Sequence, residues 1–328
     1  MNHTATTLVE KTLALSFYAT RLRATPDPFT ALPDGDYAWQ AASPEEFYAV
    51  PETAPNLKFC KSTLGDGVLR ERFTFPSISP SPFPENNTVH GLANLHGRGT
   101  ASAAVVIVHG HAMNNFAIFE RYSRPMARGG LDVYYLALPY HMQRAPRGTW
   151  SGQYSLNANI ERTAQAFRQG VQDVRSLITW IQRERNVPII LLGVSLGAYT
   201  SCMTAVVDDR PSTVISILGG GSLAELIWDG YQMNRSKHQL ESRGISLDQL
   251  ERYWALLGPA NWQPKVARDR ILLMAGEYDP IVTPSNVNRL WRAWDHPAIH
   301  WYPCGHASIA VYNRQVRNEI LRFLMDRF

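Results

Sequence analysis

The stretch Pro188-Ile-Ile-Leu-Leu-Gly-Val-Ser-Leu-Gly-Ala-Tyr199 decides the fold. A short apolar run leads into the pattern Gly-x-Ser-x-Gly, and a helical segment follows it directly. A strand that turns sharply into a helix at this pattern lifts the hydroxyl of Ser195 above the sheet. Gly193 and Gly197 are small by necessity, because side chains two residues either side of the turn would collide. The pattern therefore predicts Ser195 as a nucleophile, and the alternative is a glycine-bordered turn that carries a serine by chance.

Apolar strand-like runs and helical segments alternate on both sides of this turn. Ile160 to Ile181 carry apolar residues at steps of three or four, which is one face of a helix. The alternation predicts the α/β class, with a mostly parallel sheet of about eight strands and helices on both faces. Ligands then bind at the carboxyl ends of the strands. The expected strands are Val68–Phe75, Val89–His96, Ala103–Val108, Val133–Leu138, Ile189–Val194, Thr213–Leu218, Ile271–Ala275 and Ile299–Tyr302.

Proline content separates the beginning of the chain from the rest. Residues 24–56 hold six prolines and exclude long regular elements. We therefore expect residues 1–60 to form an extension of helices and loops packed on a main domain of residues 61–328. Leu8–Ala19 resembles a signal peptide in its apolar content, but Glu10 and Lys11 interrupt it, so that an amphipathic helix is expected.

Residues 221–265 break the alternation of strands and helices. They contain apolar helical stretches and follow directly after a strand. This arrangement predicts a helical cap insertion above the edge of the sheet. The alternative is a group of extra helices that only pack against the core.

The composition excludes several classes of protein. The net charge is +4, and the basic residues are spread along the chain with no nucleic-acid-binding motif, so we expect no nucleic-acid partner. No apolar run approaches the roughly 20 residues of a membrane-spanning helix. Three cysteines without a paired motif indicate a reducing, cytoplasmic compartment. The oligomeric state does not follow from the sequence.

A serine hydroxyl needs a base that accepts its proton and an acid that orients the base. His306 follows the last predicted strand and precedes the final helix, which is the position expected of the base. Asp279 ends the preceding strand, with Pro280 behind it, and is the expected acid. Glu277, two residues earlier, is the rival acid.

The reaction of such a serine creates an oxyanion, which requires hydrogen-bond donors. One expected donor is the backbone N–H of Leu196, directly after the nucleophile. The other is the N–H of His111 or of Ala112, in the loop after Ala103–Val108, where Gly110 permits a close approach. No further ligand stands at metal-binding spacing near His111, so we expect neither a metal nor a cofactor.

Two further segments carry candidate substrate-binding residues. His141 and Arg144 lie in a long loop after a predicted strand, and an arginine there suits a carboxylate or phosphate. An equally acceptable interpretation is that they brace the loop. Trp228 and Tyr231 belong to the expected cap and are candidates for an apolar pocket.

The order of the His-Gly loop, Gly-x-Ser-x-Gly, Asp279 and His306 resembles the α/β-hydrolase superfamily over residues 66–328. The resemblance implies Ser195 as nucleophile, His306 as general base, Asp279 as acid, and the N–H groups of Leu196 and His111 as oxyanion hole. Residues 119–144 are also similar to a little-characterised branch of α/β-hydrolase-domain proteins that includes lipid deacylases, and to dienelactone-hydrolase-like esterases.

These residues favour hydrolysis of a small-molecule or lipid-like carboxylic ester through an acyl-enzyme. A thioesterase or an acyltransferase would use the same three residues and differ in the leaving group or the acceptor. A non-catalytic protein that binds a small ligand is the remaining alternative.

Overall fold

The computed structural model describes residues 6, 9, 10, 12, 37–97, 99–325 and 327. Within them, one sheet contains nine strands in the order β1-β2-β3-β5-β4-β6-β7-β8-β9. The first three strands and β5 pair antiparallel, and the strands from β5 to β9 pair parallel. The strands are β1 (Lys58–Gly65), β2 (Val68–Pro76), β3 (Thr88–His96), β4 (Ala103–Val108), β5 (Leu131–Leu136), β6 (Ile189–Val194), β7 (Pro211–Ile217), β8 (Ile271–Gly276) and β9 (Ala298–Tyr302).

The mostly parallel sheet is confirmed, and the strand that the sequence missed is β1. Its residues are largely exposed, so that it lacks the buried apolar run by which the other strands are recognised. Val68–Phe75 was expected at the edge, but β1 occupies that edge and β2 lies second. Strand β1 also runs across residue 60, where the boundary of the N-terminal extension was expected.

Helices cover both faces of the sheet, as the alternating pattern predicts. Helices α3 and α4 contribute to the core cluster on one face, and α2 and α9 to the cluster on the other. The helices are α1 (Pro44–Phe47), α2 (Ala117–Arg128), α3 (Ile160–Glu184), α4 (Leu196–Val207), α5 (Leu223–Asp229), α6 (Asn234–Glu241), α7 (Leu247–Tyr253), α8 (Pro284–Ala293) and α9 (Asn313–Met325).

The segment 221–265 contains α5, α6, α7 and short 3₁₀ turns. Its apolar side chains join the core cluster of α3 and α4. The indole N–H of Trp254 donates to the carbonyl of Ile160 at 3.1 Å. Arg289 of α8 forms ion pairs with Glu225 and Glu251. These contacts attach the segment to the α3–α4 face.

The helix expected over Leu8–Ala19 lies outside the described residues except for Val9, Glu10 and Thr12, which are helical. From residue 37 onward, the chain packs on the main domain. The hydroxyl of buried Tyr48, for example, donates to the carbonyl of Leu256 at 2.7 Å. None of the helices in the described part of the chain is long and apolar enough to cross a membrane.

Candidate active site

Ser195 lies between β6 and α4, in a backbone conformation that ordinary residues avoid. Its φ is +54° and its ψ is −120°. The turn is tightly packed, since a Cβ on Gly193 would lie 2.3 Å from the carbonyl oxygen of Gly197. The N–H of Ser195 donates to the carbonyl of Ile217 at 2.8 Å and anchors the turn to β7. The surrounding structure therefore holds the strain that projects the hydroxyl.

A continuous hydrogen-bond chain joins Ser195, His306 and Asp279. Nε2 of His306 lies 2.9 Å from Oγ of Ser195. Nδ1 of His306 lies 2.7 Å from Oδ2 of Asp279. The other carboxylate oxygen of Asp279 accepts from the N–H groups of Ile281 and Val282, at 2.8 and 3.0 Å. These bonds fix the position of the carboxylate. Because an ionised carboxylate only accepts hydrogen bonds, Nδ1 of the imidazole carries the proton and the unprotonated Nε2 faces the serine.

The rival acid does not take part in this chain. Glu277 is exposed, whereas Asp279 is 3% exposed. Burial lowers the pKa of His306, but the charge of Asp279 and its hydrogen bond, with a further contribution from Glu10, outweigh burial, so that the pKa is raised. An imidazole with a raised pKa is a stronger base for the proton of Ser195.

The loop after β4 brings Gly110 and His111 against the serine. A Cβ on Gly110 would lie 3.2 Å from Cβ of Ser195. The N–H of Ala112 donates to Nε2 of His141 at 3.2 Å, and Ala112 has a φ of +62°. Of the two donors that the sequence leaves open, His111 is thus the better candidate. Leu196 begins α4, where helical geometry provides no intrahelical acceptor for its N–H.

Two buried histidines brace this loop. His109 accepts from the N–H of Leu138 through Nε2 at 2.9 Å, and its Nδ1 donates to the carbonyl of Gly110 at 2.7 Å. His141 uses Nδ1 in the same way toward the carbonyl of Pro139. Burial lowers the pKa of His109 to about 4 and that of His141 well below its ordinary value. Both side chains are therefore neutral near pH 7.

Arg144 is fully buried and forms an ion pair with buried Asp173 at 2.8 Å. It also donates to the carbonyls of Asn86 and Ala137. These contacts occupy the guanidinium, and neither Arg144 nor His141 lines the cavity beside Ser195. These contacts favour the alternative that both side chains brace the loop, and a role in substrate binding stays a prediction.

The cavity beside Ser195 lies between α2 and α9, on the face opposite α5–α7. Its volume is about 370 Å³. Neither Trp228 nor Tyr231 contributes to its lining. The structure therefore does not bring these two residues to this cavity, since aromatic residues in a segment do not reveal which face of the sheet the segment covers. Apolar side chains dominate the walls, among them Met113, Ile118, Phe119, Met126, Val316 and Ile320.

Glu10 is a further residue at the site, and sequence reasoning missed it. Its carboxylate accepts from the N–H groups of Ala307 and Ser308, which follow His306. No spacing signal links residues 297 positions apart in the chain. Among the described residues, no group of three or more His, Cys, Asp or Glu side chains is arranged to hold a metal ion.

Sequence comparison identifies relatives over parts of the chain. Residues 115–240 match the family model described as "Alpha/beta hydrolase domain containing 18". The uncharacterized protein YdjC of Bacillus subtilis is 27% identical over 114 residues, which are 35% of this chain and 98% of YdjC. The uncharacterized protein MT2702 of Mycobacterium tuberculosis is 28% identical over 222 residues, which are 65% of this chain and 51% of MT2702. The chain therefore matches about half the length of this second relative.

Solved structures resemble the chain over most of its length. An acetyl xylan esterase from Paenibacillus sp. R4 superposes with a TM-score of 0.64 and 14% identity, covering 92% of this chain and 98% of that enzyme. Acetyl xylan esterase 1 from Thermoanaerobacterium sp. JW/SL YS485 gives a TM-score of 0.60 and 16% identity, covering 81% and 88%. Identities this low show the fold alone, which is that of the α/β-hydrolases.

Proposed function

We propose that this chain is a member of the α/β-hydrolase superfamily and hydrolyses carboxylic esters through an acyl-enzyme on Ser195. The observation that carries the proposal is the hydrogen-bond chain of 2.9 and 2.7 Å from Ser195 through His306 to Asp279. This arrangement suits the transfer of one proton, from Oγ of Ser195 to Nε2 of His306, while Asp279 orients the imidazole. The esterase activity named for the two structural neighbours agrees with this chemistry.

In the first half-reaction, Oγ of Ser195 attacks the ester carbonyl while Nε2 of His306 accepts the hydroxyl proton. Asp279 stabilises the imidazolium that forms. The N–H groups of Leu196 and His111 donate to the oxyanion. When the tetrahedral intermediate collapses, the bond to the alkoxy oxygen breaks, and the alcohol leaves with the proton from His306.

In the second half-reaction, water attacks the acyl-enzyme. Nε2 of His306 accepts a proton from the water. The N–H groups of Leu196 and His111 again donate hydrogen bonds to the oxyanion. Collapse releases the carboxylic acid and returns the proton to Oγ of Ser195. The reaction needs no cofactor, because every proton and electron pair comes from the side chains of the protein, from the ester or from water.

The cavity points to the acyl group that the proposed esterase accepts. It is open beside Ser195 and His306, and its walls are mostly apolar side chains of α2, α9 and the sheet. Burial of an aliphatic chain contributes about 0.8 kcal/mol per methylene. An ester with a medium-length aliphatic acyl group should therefore react with a larger kcat/KM than an acetate.

A fluorophosphonate probe and a p-nitrophenyl ester series test the proposal together. The wild-type chain and the control Ser242→Ala, which changes an exposed serine, should react with the probe, and Ser195→Ala should not. Labelling of Ser195→Ala at the wild-type rate would overturn the assignment. Hydrolysis from acetate to palmitate should peak at a middle length. A larger kcat/KM for the matched acyl thioester would instead assign the thioesterase alternative.

A further inference from the structure

The carboxylate of Glu10 binds the backbone that carries His306. Oε1 accepts from the N–H of Ser308 at 2.8 Å and from its hydroxyl at 2.9 Å. The N–H of Ala307 reaches both oxygens, at 3.0 and 3.1 Å. Glu10 is itself 5% exposed, so that it makes these bonds in a place from which water is largely excluded.

The contact continues on the other side of the histidine. A Cβ on Gly305 would lie 2.5 Å from Cγ of Glu10, so that the glutamate side chain packs directly on Gly305. The N–H of Gly305 donates to the hydroxyl of Ser308, which in turn donates to Glu10. One carboxylate therefore organises the residues immediately before and after His306.

We propose that Glu10 is a positioning residue for His306. This inference rests on the proposed esterase function. Glu10 does not line the cavity beside Ser195. It holds the loop at the place where Nε2 of His306 meets Ser195 and Nδ1 meets Asp279. A displacement of about 1 Å at a reacting group costs on the order of 100-fold in rate, so small movements of this loop matter.

The charge of Glu10 acts on His306 as well. The carboxylates of Asp279 and Glu10 act on His306. Other titratable side chains, those of His111, Tyr122 and Arg317, line the same cavity. A negative charge near the imidazole favours its protonated form. Glu10 therefore reinforces Asp279 in stabilising the imidazolium that forms when Ser195 loses its proton.

Three substitutions at Glu10 separate the reach of the side chain from its charge. Glu10→Gln keeps the shape and an acceptor oxygen but loses the charge. Glu10→Asp keeps the charge but shortens the side chain. Glu10→Ala removes both. The matched control is Glu46→Gln, which also changes an N-terminal carboxylate that accepts backbone and hydroxyl hydrogen bonds, there from Ser43.

The readouts are kcat/KM against pH for a p-nitrophenyl ester, active sites counted by fluorophosphonate titration, and the melting temperature. We expect Glu10→Ala to lower kcat per titrated site on the order of tenfold with little change in KM. Glu10→Gln should move the acidic limb of the profile to lower pH, because the charge of Glu10 helps to raise the pKa of His306. Glu10→Asp should lower kcat but leave the acidic limb of the pH profile at its wild-type position. Glu46→Gln should give the wild-type kcat and pH profile.

The outcomes distinguish the two proposals. If the wild type hydrolyses esters and every Glu10 variant keeps its kcat per titrated site and its pH profile, the positioning role is overturned and the esterase proposal stands. A lower melting temperature with an unchanged kcat and pH profile also overturns the positioning role, because it shows that the contact of Glu10 is merely structural. If the wild type neither reacts with the probe nor hydrolyses any ester, both proposals fail.

Discussion

His141 accepts a hydrogen bond from the backbone N–H of Ala112, with 3.2 Å between Nε2 and the nitrogen. The bond crosses from the loop after β5 to the loop after β4 and fixes Ala112 in a left-handed conformation, with a φ of +62°. It directs this N–H away from the serine and leaves the preceding residue, His111, on the cavity wall beside Ser195. One buried imidazole thus orients the proposed oxyanion hole.

Replacement of His141 should loosen that loop. We expect His141→Leu to lower kcat/KM on the order of tenfold, since a displaced oxyanion donor stabilises the transition state less well. His141→Gln retains an acceptor oxygen for the N–H of Ala112 and should retain more activity. Steady-state kinetics checks this, with half-exposed His300→Leu as control. Equal activity of His141→Leu and the wild type would remove His141 from the mechanism.

The assignment of the acid is tested by a pair of substitutions. Asp279→Asn should lower kcat by about 10³ to 10⁴-fold, the magnitude seen when the equivalent acid of a serine protease is replaced. Exposed Glu277→Gln should leave kcat near the wild-type value. Because the charge of Asp279 raises the pKa of His306, residual activity of Asp279→Asn should persist to lower pH than wild-type activity. The reverse ranking of the two variants would assign the role to Glu277.

The buried histidines predict how stability depends on pH. Burial lowers the pKa of His109 to about 4, whereas the unfolded chain has the ordinary value of about 6.5. Between these values, only the unfolded state binds the proton, so that stability is complete above about pH 6.5 and falls as the pH approaches 4. Urea unfolding should show that His109→Gln, which can still accept from Leu138, reduces this slope by up to about 1.4 kcal/mol per pH unit. An unchanged slope would show that His109 is not the group that titrates.

The nucleophile turn could be predicted from the sequence because its requirements are local. A buried strand, Gly193, Ser195, Gly197 and a helix follow one another within about twenty residues. The order of Asp279 and His306 at the ends of later strands added the remaining partners. Each of these features is a pattern in neighbouring residues, and the described structure places the three side chains in one hydrogen-bond chain.

The cavity and Glu10 could not be predicted, because they depend on packing between distant segments. An amphipathic helix reveals its apolar face but not which helix lies opposite, so nothing in the sequence pairs α2 with α9. The sequence left two interpretations of Arg144 open for a physical reason: an arginine in a loop suits an anionic ligand as well as it suits a buried aspartate. In the structure, the partner of Arg144 is the buried carboxylate of Asp173, on α3.

The Arg144–Asp173 pair should contribute to stability and not to substrate recognition. Arg144→Met leaves the carboxylate of Asp173 buried without its partner and should lower the free energy of unfolding by about 3–5 kcal/mol. The double substitution with Asp173→Leu should recover part of this loss. Arg268→Met, at an exposed pair with Asp295, should cost less than about 1 kcal/mol. Denaturant unfolding measures all three, and a selective rise in KM for Arg144→Met at unchanged stability would restore a binding role.

The position of the acyl pocket can be tested at its wall. Ala310 is exposed and lines the cavity, so that a larger side chain there should narrow the space with little effect on folding. Ala310→Phe should lower kcat/KM for p-nitrophenyl octanoate on the order of tenfold and leave the acetate nearly unchanged, because excluding two methylenes from burial costs about 1.6 kcal/mol. The adjacent Val311 is 67% exposed and does not line the cavity, which makes Val311→Phe the matched control. Equal chain-length profiles for the two variants would place the acyl group elsewhere, because Ala310 borders the cavity between α2 and α9 and Val311 does not.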